Sequence, residues 1–173
     1  ASTGKHVRLE VSGESTELDK TVIERLGEPL THLIRNAVDH GIESAETRIA
    51  AGKHPEGTLT LSAEHRSGRI LIRISDDGAG INRERVFAKA VEKGLIAADA
   101  QLSKEEIDHL IFAPGFSTAA QVTNVSGRGV GMDVVRQNVK ELGGRITIDS
   151  APGSGTTFTL TLPLTLAISD GMV

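Results

Sequence analysis

Five short stretches in which polar and apolar residues alternate constrain this chain more than any other feature. They are His6 to Val11, Thr58 to Glu64, Arg69 to Ser75, Arg145 to Asp149 and Thr157 to Leu162, and a period of two marks half-buried strands. Helical periodicity fills the intervals. It runs from Asp19 to about His40, from Ser44 to Ala51 with Gly52 as the stop, and from Asn82 to Lys93 with Gly94 as the stop. A further helix opens at Ser103, where Glu106 completes a capping box, and the last spans about Gly131 to Leu142 before Gly143 and Gly144. Pro29 is expected to kink or restart the first helix, because it removes a backbone donor and crowds the preceding turn. Short polar turns at Arg66 to Gly68 and Ala151 to Gly155 make antiparallel neighbours rather than a run of βαβ units. The expected fold is therefore α/β: a two-layer sandwich with a mixed, mostly antiparallel sheet and helices on one face.

A length of 173 residues suits a single domain over 1–173. With no Cys, disulfides, thiolate metal sites and thiol nucleophiles are excluded. No Trp or Tyr and four Phe leave no platform for stacking nucleic-acid bases, and a formal charge of -4 argues against wrapping a phosphate backbone, so no nucleic-acid partner is expected. No apolar run approaches the roughly 20 residues needed for membrane insertion, and the chain reads as a cytoplasmic segment of a longer protein. Gly is in excess, 19 residues, about 11% where roughly 7% is usual.

Much of that Gly is patterned. On the first helix, an advance of about 100° per residue puts His32, Arg35, Asn36, Asp39 and His40 on one face and Leu26, Leu30, Leu33, Ile34 and Ala37 on the other. A merely solvated face would ordinarily carry Lys and Glu instead. Asp76-Asp77-Gly78-Ala79-Gly80-Ile81 follows a strand; it offers a carboxylate to a donor such as an exocyclic amine and lets a ligand approach the backbone, although a plain Asp-Gly turn has the same composition. Gly127-Arg128-Gly129-Val130-Gly131-Met132 opens a helix, where bare amides and the helix dipole favour an anion. It matches neither a Rossmann nor a Walker pattern. Gly153-Ser154-Gly155-Thr156 is accounted for by a hairpin turn alone. Residues 113–130 are the least periodic and read as a long mobile loop, of a length that in a compact domain is usually functional or disordered.

Together and in this order, His32-x-x-x-Asn36, Asp76-x-Gly78-x-Gly80, Gly127-x-Gly129-x-Gly131 and Gly153-x-Gly155-Thr156 resemble the nucleotide-binding boxes of the histidine kinase, gyrase, heat-shock chaperone and MutL superfamily. His32 to Glu43, Phe112 to Thr118, Gly127 to Val135 and Leu162 to Ile168 narrow the resemblance to the catalytic domain of bacterial chemotaxis histidine kinases. The resemblance implies a Bergerat-type fold that binds ATP with Mg²⁺ and passes the γ-phosphoryl group to a His on a separate phospho-acceptor domain. Asp76 is the implied acceptor for the adenine amino group, Asn36 the Mg²⁺ ligand, and His32 the group that orients or deprotonates the acceptor. Arg35, Asp39 and His40 complete that surface, while Gly78, Gly80, Ile81, Val130, Met132 and Thr156 line the nucleotide site. Gly127, Gly129 and Gly131 supply phosphate-binding amides, with Ser117, Thr118 and Arg128 on a mobile ATP lid at about 113–130. Phe112 and Phe116 are expected to anchor the lid rather than touch ligand, leaving the base to Asp76, aliphatic packing and backbone. The implied partners in the whole protein are dimerisation and regulatory domains, a coupling adaptor, chemoreceptors and response regulators; this segment is expected to be monomeric. An ATPase conformational switch of the gyrase, chaperone or MutL kind is the alternative.

Overall fold

A computed structural model of the chain describes residues 5–13, 18–116 and 131–163. Its elements run β1 (Val7–Gly13), α1 (Leu18–Asn36), a π-turn (Ala37–Gly41), α2 (Ala45–Ala50), β2 (Gly57–Arg66) and β3 (Arg69–Asp76), followed by α3 (Arg83–Glu92) and α4 (Lys104–His109). A 3₁₀ turn (Leu110–Phe112), α5 (Met132–Glu141), β4 (Arg145–Ala151) and β5 (Gly155–Pro163) complete them. The five strands form one sheet in the order β1-β2-β3-β5-β4. Only β1–β2 is parallel, and its crossover contains α1 and α2, the long connection a parallel pair needs. The β2–β3 turn places Ser67 and Gly68 at φ 54° and 76°, the left-handed pair of a type I′ hairpin whose twist matches its strands.

In β3, β4 and β5 alternation directs one side into the core, whereas Leu9 and Val11 of β1, expected to be half-buried, are exposed because no described helix covers that edge strand beyond Val7. Ile70, Ile72 and Ile74 of β3 and Phe158, Leu160 and Leu162 of β5 are buried, joined by Ile146 and Ile148 of β4. Leu26, Leu30 and Leu33 of α1 and Val135 and Val139 of α5 cover that side, and each such side chain contributes roughly 1.5–3 kcal/mol by leaving water. The opposite side is polar: Ser75 and Thr157 share a hydrogen bond of 2.7 Å there. The expected sandwich with helices on one face is what the sequence folds into.

Two local details differ. The first helix does not restart at Pro29; Leu26, Leu30 and Leu33 seat it on the core on both sides of the proline, and packing outweighs one missing ladder bond. The change of geometry comes later. The α-helix ends at Asn36 instead of reaching His40, and Ala37–Gly41 opens into the wider π-turn. Lys5 steadies that turn, its Nζ donating to the carbonyls of Val38 at 2.9 Å and Asp39 at 2.6 Å. The capping box at Ser103 forms as expected, with Ser103 N–H to Glu106 Oε1 at 2.7 Å and Glu106 N–H to Ser103 Oγ at 3.1 Å.

Candidate functional site

A pocket of about 440 Å³ lies where the end of α1, the loop after β3, α3 and the start of α5 meet. That volume is within the range of small-molecule sites. Its floor is Asp76, the last residue of β3, buried and paired in register with Thr156 of β5. The Gly78 amide donates to Asp76 Oδ1 at 2.8 Å. Burial pushes the Asp76 carboxyl above its usual range; the Gly78 and Thr156 amides oppose the shift, while Asp77 and Glu43 add to it. A carboxylate held against its desolvation cost by two backbone donors is poised to accept a further hydrogen bond from a ligand.

The loop beyond Asp76 packs on the protein's own backbone. A Cβ on Gly78 would run into the carbonyl of Gly41, and one on Gly80 (φ 81°) into that of Ala151. Ala79 N–H donates to Gly41 O at 2.9 Å, so the loop is tied to the π-turn at the end of α1. Gly78 and Gly80 thus serve close chain packing; of the two, Gly80 reaches the pocket wall. Ile81 N–H donates to Ser150 Oγ at 2.8 Å, and that hydroxyl also bonds Thr156 Oγ1 at 3.0 Å.

His32, Asn36 and His40, from the end of α1 and the π-turn, also line the pocket. Partial burial lowers the His32 pKa below 6.5, and the neighbouring Arg35 charge lowers it further, both favouring the neutral imidazole. Of the other residues singled out from sequence, Ile81, Met132 and Thr156 line the pocket. Arg35 and Asp39 are exposed and outside its wall, and Gly131 is the buried N-cap of α5. Ser117, Thr118, Gly127, Arg128, Gly129 and Val130 lie outside the described residues, as does most of the 113–130 segment.

Several wall residues escaped the sequence reading. Arg85, Val86 and Lys89 of α3 face the pocket, together with Phe116 and Phe158. Lys89 Nζ lies 4.6 Å from the Phe116 ring centroid. Phe112 is an anchor as expected, buried with its ring edge-on to Phe158 at 6.4 Å. Phe116 and Phe158 are both largely buried and also border the pocket. The signal for Arg85 and Lys89 was their four-residue spacing on a helix beginning just after a Gly loop.

Behind the loop lies a network that the sequence motifs did not single out, although Glu43 and Asp77 fall within two of them. Arg48, 2% exposed, pairs with Glu43 Oε1 at 2.9 Å and Asp77 Oδ2 at 3.2 Å, while Lys53 Nζ meets Glu43 Oε2 at 2.8 Å. Burial alone raises the Glu43 pKa, but hydrogen bonds from Lys53, its own backbone and Arg48 and the Lys53 charge bring it below normal. Asp77 Oδ1 also accepts from the Thr58 amide at 2.8 Å.

Residues 21–166 match the family described as histidine kinase-, DNA gyrase B-, and HSP90-like ATPase. The chain belongs to this ATPase family. Among its relatives, the chemotaxis protein CheA of Rhizobium meliloti is 66% identical over 99% of this chain and 23% of its own length. CheA of Cereibacter sphaeroides is 68% identical over 98% of this chain and 25% of its own length. The chain thus spans about a quarter of the curated relatives it matches. The fold of the ATPase family is met again in solved structures. The catalytic domain of histidine kinase ThkA aligns with TM-score 0.53 at 18% identity, covering 91% of this chain and 78% of that one. The histidine kinase domain of the Erythrobacter litoralis EL346 blue-light activated kinase gives 0.54 at 16%, covering 94% and 54%.

Proposed function

We propose that this ATPase-family domain binds ATP with Mg²⁺ and transfers the γ-phosphoryl group to a His on a separate phospho-acceptor domain, as the catalytic part of a chemotaxis histidine kinase. The observation that carries the reading is the presence, in the lining of one pocket, of a buried, amide-held Asp76 together with His32 and Asn36 of α1. Asp76 accepts from the adenine amino group; a guanine would present a carbonyl instead and leave both acceptors unsatisfied. Arg85 and Lys89 supply positive charge along the wall for the phosphates.

Among the described residues no group of three or more His, Asp or Glu could cage a metal ion; in the proposed reading the cation comes with the nucleotide. Asn36 fits that role with one neutral amide oxygen, the triphosphate supplying the charge. Bound there, Mg²⁺ would neutralise developing phosphate charge. His32 orients the incoming acceptor or takes its proton while the acceptor nitrogen bonds to the γ-phosphorus and ADP departs. Ser117, Thr118, Arg128 and the amides of Gly127, Gly129 and Gly131 close over the phosphates. In the whole protein we place the domain beside dimerisation and regulatory domains that engage an adaptor, chemoreceptors and response regulators. By itself it is a monomer. Among the described residues no helix is long and apolar enough to cross a membrane, consistent with a cytoplasmic setting.

Titration calorimetry with a non-hydrolysable ATP analogue and Mg²⁺ tests the binding, and radiolabel transfer from ATP to an added acceptor-His domain tests the chemistry. Binding with transfer is the expected result. Binding with phosphate release to water and no transfer overturns the kinase reading in favour of an ATPase switch.

A further inference from the structure

A trans peptide points its C=O and N–H in opposite directions, so whatever holds the carbonyl also aims the amide. The carbonyl of Asp77 accepts from Arg48 Nη1 at 3.1 Å and from Lys53 Nζ at 3.2 Å. On the other side of that peptide, the Gly78 amide donates to Asp76 Oδ1. The next peptide repeats the arrangement: Gly78 O accepts from Lys53 Nζ at 2.9 Å, and Ala79 N–H donates to Gly41 O. Two cations on the back of the loop therefore set the direction of two amides on its front. A cation on the carbonyl also polarises the peptide and strengthens its N–H as a donor. Glu43 holds both cations in place.

We propose that Lys53, backed by Arg48, is a positioning residue for base recognition, aiming the Gly78 amide at Asp76 through the Asp77 and Gly78 carbonyls without touching the nucleotide. This rests on the reading that Asp76 receives adenine. The charged and titratable groups near Asp76 are Asp77 in the loop, Glu43 beyond the π-turn, and His32 and His40 on the pocket wall, with the Thr156 amide from β5. All of them remain when Lys53 alone is changed.

The test is Lys53→Met, with Lys53→Arg as the conservative variant; the Lys53 side chain is 21% exposed, so the change spares the core, whereas Arg48→Met risks the fold. MgADP affinity is measured by calorimetry across the acid range, and the Gly78 amide proton is followed by NMR in the nucleotide-free domain. Expected for Lys53→Met is about ten-fold weaker binding, an acid limb of affinity moved to higher pH because Asp76 loses its donor, and a Gly78 proton whose shift no longer follows Asp76 titration. Lys53→Arg should restore most of each. A Lys53→Met domain with wild-type affinity, acid limb and Gly78 shift overturns the proposal. If wild type itself binds no nucleotide, the functional reading fails, and the NMR titration still decides whether Lys53 aims the amide.

Discussion

Arg83 and Asp108 meet at two points, Nε to Oδ1 at 3.0 Å and Nη2 to Oδ2 at 2.9 Å, with the Asp108 side chain 3% exposed. The same Nη2 donates to the Ser150 carbonyl at 2.8 Å, so one guanidinium joins α3, α4 and β4. Removing one partner leaves a buried charge without its complement. Asp108→Ala is expected to lose roughly 3 kcal/mol in urea unfolding, and the Arg83→Met, Asp108→Leu double variant to recover most of it. A double variant as unstable as the single one contradicts this account.

Asp76 gives a prediction with a definite sign in pH. Its folded-state pKa lies above the usual 3.8, chiefly through burial. A native acid with a raised pKa binds protons more readily than the unfolded chain, so its contribution to stability is greatest below 3.8 and declines as pH rises through the folded value. Asp76→Asn should abolish nucleotide binding while folding, and the stability of wild type relative to it should fall across that window. Denaturant titrations of both proteins at acid and neutral pH measure the difference.

His32 is shifted the opposite way, below 6.5, by burial and then by Arg35. Phosphotransfer should therefore rise with pH along a limb below 6.5 and be level at neutrality. Arg35→Gln should move that limb upward. His32→Gln should retain nucleotide affinity within a few-fold and lose transfer by about 10²-fold or more. Equal loss of binding and transfer would contradict the assigned division of roles.

Gly78 and Gly153 should respond differently to alanine. At Gly153 (φ 82°) there is open space around a Cβ, and only backbone strain, about 1 kcal/mol, is expected. At Gly78 the added atom collides with the Gly41 carbonyl, at a cost of about 1–3 kcal/mol, with the loop displaced. Calorimetry should find nucleotide binding lost in Gly78→Ala and kept in Gly153→Ala.

Arg85 and Lys89 should discriminate by phosphate. Replacing either with Met is expected to weaken ATP binding about ten-fold and adenosine binding much less. Parallel competition titrations with the two ligands provide the comparison, and an equal loss for both would assign the cations to base packing.

The periodic parts of the fold were legible because period and caps are local. The β2–β3 hairpin, the Ser103 box and the aliphatic faces of β3 and β5 follow from neighbouring residues alone. The π-turn does not: nothing in Ala-Val-Asp-His-Gly distinguishes one more helical turn from a wider one, and Lys5, far away in sequence, helps stabilise the result. The acid and the two polar helix residues of the site were visible as a spaced motif. Glu43, Arg48, Lys53 and Asp77 were not, because a buried ion network looks like ordinary surface charge until the chain has folded. That Phe116 and Phe158 border the pocket was not legible either, because a ring's sequence neighbours do not say whether it faces the core or a pocket.

The hydrogen bond from Ala79 to Gly41 also limits how this pocket can evolve. The π-turn that follows His32 and Asn36 and the loop descending from Asp76 are joined by this peptide contact, so under the proposed function a substitution that reshapes base recognition through the loop would also disturb the phosphoryl end. On the same reading, altered nucleotide preference would be more accessible through wall residues such as Ile81 and Met132, where selectivity could drift while the transfer geometry stays inherited.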